Sequence, residues 1–550
     1  MKAGKSNRAL TLTTAGAVVA WLLVVQPGAA QKGQPRPLFQ TSDRCQACHN
    51  GLTTPGGESA SIGVDWRPAM MANSGRDPYW RAAVRREVLD HPSARATIED
   101  ECSRCHLPMA NFESKTAGEP PQLFAHLAAA QGPAPARAAQ LAIDGVSCAA
   151  CHQITPKGLG TRDSFTGHYD IDAARPWGQR RIYGPFEVDR GRTRVMQSAS
   201  TMRPEQSAHV QQAELCASCH TLFTHALDAQ GQVVGELPEQ VPYLEWQHSA
   251  YRDRQACQSC HMPVVDTPMP IASVLGQPRE RFSRHVFRGG NFFMMNLLGR
   301  YAADLGVVAT PQELSLAALR TTQHLQSSSA RLSLRCAPVE ADRLAAEVSV
   351  VNLAGHKLPS AYPSRRAWLH FVVLDATGKP VFESGALAPD GSIVGNDNDE
   401  NGARFEPHYH RISRPDEVQI YEPILGSPDG AVTTGLLTAS QYLKDNRLLP
   451  VGFDKQSASA DVAVHGRAQD DGSFQGGGDV VRYSVSVAGA QAPLRVRAEL
   501  WYQPIGHRWA HNLGAIRSPE SARFVGYYRS MAASSAVMLA QAEAAAPPAR

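Results

Sequence analysis

After residue 31 this chain has no apolar run long enough to cross a bilayer, so the mature protein is expected to have no membrane span. Charge of neither sign dominates. The formal net charge is +3 over 550 residues, which leaves no basic footprint for nucleic acid. No structural unit recurs at the period of a solenoid; only a five-residue pattern repeats. Cysteine is scarce outside that pattern. Of eleven cysteines only Cys336 stands apart, and with no partner left it is expected to be a buried thiol.

The first residues are those of a secretory leader, expected over 1–30. Lys2, Lys5 and Arg8 form a basic start, 9–25 is mainly apolar, and Gly28-Ala29-Ala30 is a small-residue cleavage site before Gln31. An uncleaved anchor is the alternative. No cysteine lies at the cleavage site, which argues against a lipoprotein. The expected location is the periplasm or the cell exterior.

What is present is C-x-x-C-H, five times: Cys45-Gln-Ala-Cys48-His49, Cys102-Ser-Arg-Cys105-His106, Cys148-Ala-Ala-Cys151-His152, Cys216-Ala-Ser-Cys219-His220 and Cys257-Gln-Ser-Cys260-His261. In an exported protein this is the attachment signature of haem c. The two thiols bond to the porphyrin vinyl groups, and the adjacent imidazole binds iron from one side. A zinc or disulfide framework has no need of histidine after every second cysteine. Five covalently bound haem c groups are therefore expected, with His49, His106, His152, His220 and His261 as proximal ligands. Each oxidised haem adds roughly one negative charge through its propionates, so five cancel the formal excess.

At 550 residues the chain exceeds one ordinary core. We expect an α+β multidomain protein. A mainly helical, loop-rich pentahaem region covers 31–328, and an immunoglobulin-like β-sandwich covers 329–530. A tail over 531–550 is expected to be frayed or helical. Helices are predicted over 77–90, 93–105, 136–142, 207–219, 292–305 and 311–328, and 158–194 reads as loop. Strands are predicted over 331–336, 344–352, 368–375, 380–384, 417–421, 461–465, 480–487 and 494–502, with a helix over 439–445 between them.

The second ligand of each iron decides function. An iron with two strong protein ligands only moves electrons, whereas an open face allows chemistry. Fifteen histidines lie outside the motifs, out of twenty in all. The candidate distal ligands are His91, His168, His209, His285 and His356, with His248 and His126 behind them. For each, a surface or core histidine that binds no metal is the competing reading. His356 is the most informative, because it tips a loop of the β-region and as a ligand would tie that region to the haems. Met70, Met71, Met109 and Met262 are axial candidates that more often pack against porphyrin.

Calcium is a candidate second metal. Asp397-Asn398-Asp399-Glu400-Asn401-Gly402 matches the first half of a calcium loop, but His408 stands where a bidentate glutamate belongs, and a solvated acidic turn is the alternative.

Several segments carry a resemblance. They are Met70-Met71-Ala72-Asn73-Ser74 with Arg76-Asp77-Pro78, Asp144-Gly145-Val146-Ser147, Tyr183-Gly184-Pro185-Phe186, Pro238-Glu239-Gln240 with Glu245-Trp246, Gly289-Gly290-Asn291-Phe292-Phe293 and Gly355-His356-Lys357-Leu358-Pro359. With them the chain resembles secreted multihaem cytochromes c of the cytochrome c-552/c-554 kind, which implies a pentahaem region followed by a β-domain. Ammonia-forming nitrite reductases resemble it in haem number, but their active-site haem carries lysine in place of the motif histidine, and all five motifs here end in histidine. The leading expectation is an exported pentahaem cytochrome that transfers electrons between redox partner proteins. One alternative is a reductase of a small nitrogen or sulfur compound at one open haem. Another is a subunit of an extracellular cytochrome filament.

Overall fold

A proline at the first turn and a carboxylate before it set the first long helix. Asp77 accepts hydrogen bonds from the Tyr79 and Trp80 amides and starts Pro78–Asp90. Its buried face carries Tyr79, Trp80, Ala82, Val84 and Val88. The last long helix of the N-terminal half, Pro311–Ser328, begins with a reciprocal capping box between Thr310 and Glu313. The computed structural model describes residues 37–132 and 135–547, so the expected leader over 1–30 lies outside the described residues. Among the described residues no helix is long and apolar enough to cross a membrane.

Short helices and loops dominate up to Ser328, and strands dominate after it. The region expected as loop, 158–194, is more ordered than its glycines and prolines suggested. Arg180–Gly184 pairs in parallel with Met202–Gln206, and Asp189 caps a helix over Arg190–Ser200.

Two sheets follow. One runs in the order Arg411–Ile412, Gly478–Ser486, Arg343–Asn352, Ala330–Cys336. The other runs Pro380–Ser384, Arg366–Leu374, Arg495–Gln503, Val537–Ala545, with Ile420–Tyr421 also beside Arg366–Leu374. Alternation decides which side chains face inward. Val348 and Val350 of one sheet share a core with Leu369, Val373, Val496 and Ala498 of the other, and Phe371 stacks on Tyr483 with centroids 3.7 Å apart.

Two predicted helices are strands. Residues 439–445 form Gln441–Asp445, paired with Pro423–Gly426, because Lys444 and Asp445 are buried in ion pairs that outweigh helix propensity. In the alanine-rich tail, expected to be frayed or helical, Ala532–Ser534 forms a single 3-10 turn and a strand follows it. Val537–Ala545 lies antiparallel on Arg495–Gln503, giving its backbone groups partners and directing Gln541 and Glu543 outward.

From Leu38 onward the chain forms one compact unit. Its largest core joins Tyr79, Phe165, Phe292 and Phe293 of the helical half to Tyr421, Tyr483 and Tyr502 of the β half. A second core, with Phe39, Trp80, Val88, Ile98 and Leu107, lies beneath the first motifs.

Candidate functional site

Each C-x-x-C pattern lies on or runs off a helical turn. The helices are Ser42–Gln46, Arg95–His106, Cys148–Cys151, Ala213–His220 and Cys257–His261. A spacing of three places both thiols of a motif on one face. All eleven cysteines are free, so no cystine competes with attachment. Thiols of different motifs lie near enough to influence one another, Cys45 and Cys148, Cys105 and Cys219, and Cys216 and Cys257. The first and third motifs are thus neighbours, as are the second, fourth and fifth.

Two motif histidines face a second imidazole. The rings of His152 and His285 lie 6.3 Å apart between centroids at 23°. Those of His261 and His356 lie 6.3 Å apart at 13°. Two metal–imidazole bonds of about 2 Å each, with the half-widths of two rings, span about 6.3 Å. The separation suits one metal between each pair.

The hydrogen bonds agree with that geometry. His152 Nδ1 lies 2.6 Å from Tyr183 O, His285 Nδ1 3.2 Å from Ser283 O, His261 Nδ1 2.5 Å from Arg288 O and His356 Nδ1 2.8 Å from Lys357 O. A ring that donates from Nδ1 to a carbonyl presents its Nε2 lone pair, as a metal-binding histidine must. Burial disfavours the imidazolium form. It brings His285 down to about 3 and His261 to about 4, and it lowers His152 as well, so these rings are neutral at pH 7.

The other motif histidines have different surroundings. His49 Nδ1 lies 2.7 Å from Ile271 O. The His106 ring stacks on Trp80 at 4.3 Å and 6°, and burial brings it down to about 4; its buried Nδ1 has no hydrogen-bond partner. His220 ends the Ala213–His220 helix, where burial and the charge of Arg365 lower its proton affinity.

Three further sequence candidates lie elsewhere. His91 follows the Pro78–Asp90 helix and approaches Thr438 Oγ1 at 3.5 Å. His168 Nδ1 donates to Phe165 O at 2.8 Å, and its Nε2 accepts from Arg104 Nη1 at 2.7 Å, beside the second motif. Both nitrogens of His209 are engaged, Nδ1 with Ser207 Oγ at 2.7 Å and Nε2 with Ile154 O at 2.9 Å. His324 escaped the sequence reading. It lies 6.5 Å from His261 at 72°, and no local motif marks it within its helix.

Buried charges hold His356 in place. Lys357, fully buried, lies 2.6 Å from Asp445 through Nζ, and its amide donates to Glu245 Oε2 at 3.1 Å. Ser360 Oγ donates to the same oxygen at 2.6 Å. Arg447 joins Asp445 at 2.8 Å and Glu245 at 3.0 Å. Burial opposes ionisation of Asp445, but Arg447 and Lys357 hold its carboxyl well below the usual range. Glu245 belongs to Pro242–Gln247, just ahead of the fifth motif, so one network ties the His356 loop to that motif.

The acidic run 397–402 does not close round a cation. Both oxygens of Asp399 accept from the Arg366 guanidinium at 2.8 and 2.9 Å, and Asp397 pairs with Arg404 at 3.3 Å. His408 instead turns toward Asp471 and Asp479, the three ligand atoms lying within 4.8 Å of one another. Gln419 and Asn446 both donate to His408 Nδ1, at 2.8 and 3.1 Å, so its proton sits on Nε2 and points to Asp471 at 3.2 Å. That tautomer makes a closed polar network, not a metal site.

No protein-family model matches this chain, and no curated protein matches it. Among solved structures it is similar to a penta-haem cytochrome c552 from Thermochromatium tepidum, with a TM-score of 0.50 and 16% identity. The match covers 92% of this chain and 100% of that one, and at this identity it is a likeness of fold.

Proposed function

We propose that this chain is an exported pentahaem cytochrome c that carries electrons between redox partner proteins. The observation that carries the reading is the pairing of His152 with His285 and of His261 with His356, each at 6.3 Å. In this reading ten cysteines, all but Cys336, would hold five haem c groups, with His49, His106, His152, His220 and His261 as proximal ligands. His285 would supply the second ligand at the third motif and His356 at the fifth. Haem supplies a one-electron centre when bound. The residues of the chain keep the imidazoles neutral, aim their Nε2 lone pairs and leave no position for substrate between the paired rings, which favours electron transfer over chemistry there. The nearness of thiols from different motifs would favour short transfers between haems held at neighbouring motifs. The β-region would then be a working part of the redox unit through His356. Penta-haem binding by the similar cytochrome c552 supports the same reading.

The test is spectroscopic. Holoprotein is expected to show low-spin ferric signals from the third and fifth haems, and His356→Ala is expected to convert the fifth to high spin. A fifth-motif spectrum unchanged in His356→Ala would sink the assignment. A high-spin haem in the native protein that responds to nitrite or hydroxylamine would replace electron transfer with reductase chemistry.

A further inference from the structure

Trp80 and His106 stand on different helices, Pro78–Asp90 and Arg95–His106, and their rings lie face to face at 4.3 Å and 6°. Both backbones are fixed. The Trp80 amide donates to the Asp77 cap at 3.2 Å, and the His106 carbonyl accepts from Ser74 Oγ at 2.7 Å. Trp80 is 8% exposed and packs in one core with Phe39, Val84, Val88, Ile98 and Leu107, which leaves the indole no room to swing aside. A stack covers the face of an imidazole and leaves its edge, where Nε2 lies, free to bind.

Three other motif histidines are oriented in a different way. Nδ1 of His49, His152 and His261 lies 2.7, 2.6 and 2.5 Å from the carbonyl oxygens of Ile271, Tyr183 and Arg288. His106 Nδ1 is buried and makes no such bond. The Ser74 backbone stands beside the ring but out of line with it. A ring that donates from Nδ1 to a carbonyl is the stronger base toward a metal, and so favours the more highly charged ferric ion. A stacked indole fixes the plane of the ring without supplying that push.

We propose that Trp80 is a positioning residue for the second-motif ligand: its indole holds the His106 ring with Nδ1 unpaired and thereby keeps the second haem at a raised reduction potential. The inference rests on the pentahaem reading above. An indole face also attracts positive charge on a stacked imidazole, which favours the ferric state. That attraction is weaker than a hydrogen bond to a charged group, so the missing bond decides the sign. The second haem then holds an electron more firmly than the same ligand would allow with its Nδ1 paired.

The experiment is potentiometric titration of the holoprotein, joined to its NMR spectrum. In the native protein the proximal imidazole of the second haem, assigned through the thioether protons at Cys102 and Cys105, should show nuclear Overhauser contacts to the Trp80 indole. Trp80→Leu frees the ring to turn toward the Ser74 backbone. The second haem should then lose roughly threefold or more in its reduction equilibrium constant, about 28 mV, with its ligand signals displaced and five haems still attached. Trp80→Phe, which keeps an aromatic face, should retain the native potential and signals. Absence of the contact in the native protein, which needs no variant to fold, overturns the proposal. So does a second-haem potential that stays or rises in Trp80→Leu, or that falls equally in Trp80→Phe. Failure of the pentahaem reading would appear separately, as a mass lacking haem at the second motif.

Discussion

Glu245 and Arg447 meet at 3.0 Å with side chains 0% and 5% exposed, one ahead of the fifth motif and the other in the β half. Glu245 Oε1 makes no aligned hydrogen bond, so the contact acts through charge. Burial would lower the proton affinity of Arg447, but Asp445 and Glu245 raise it further. Arg447→Met leaves Glu245 buried without a counter-charge and Asp445 with Lys357 alone, and is expected to cost about 3–5 kcal/mol in denaturant unfolding of the holoprotein. The fifth haem should lose low-spin character in the same variant, because the His356 loop hangs from Glu245. A cost below about 1 kcal/mol would show that the network does not join the two halves.

His285 lies in the irregular stretch after the fifth motif and faces the third. His285→Ala should convert one low-spin haem to high spin and open it to cyanide, leaving the fifth-motif signals in place. If cyanide binds the variant no better than the native protein, His285 is not opposite His152.

Burial pushes the Cys336 thiol up to about 11, so little thiolate forms at pH 8. Iodoacetamide should leave the folded holoprotein unlabelled and add one label after unfolding. More than one label would mean that some motif cysteines are not bonded to haem.

Burial pushes Glu239 up to about 8 in the fold, against about 4.3 when unfolded. Between those values the folded protein holds one more proton, so its stability falls as pH rises through the window and levels off above it. Glu239→Gln carries no such burden and should gain about 4 kcal/mol on the native protein between pH 5 and 9. Parallel unfolding free energies across that range would show that Glu239 is ionised throughout.

The elements that were legible in the sequence are those with local causes. Asp77 before Pro78, and Thr310 with Glu313, announce their helices, and alternation over 480–487 and 494–502 announces two central strands. The misread segments have distant causes. Gln441–Asp445 is a strand because Lys444 and Asp445 find buried partners in Glu422, Lys357 and Arg447. Val537–Ala545 is a strand because Arg495–Gln503 lies open beside it. For the acidic run at 397–402 the sequence left a cation loop and a solvated turn open, and the distant Arg366 takes both oxygens of Asp399.

On the pentahaem reading the sequence by itself determined where haem would attach, because two thiols and a histidine within five residues share one helical turn whatever the rest of the chain does. Only the tertiary structure decided what stands opposite. His285 and His356 come to their partners from 133 and 95 residues away, through buried charges and sheet packing that no local pattern encodes. The reason is physical: attachment needs one turn of helix, whereas a second ligand needs two distant backbones held to within a fraction of an ångström.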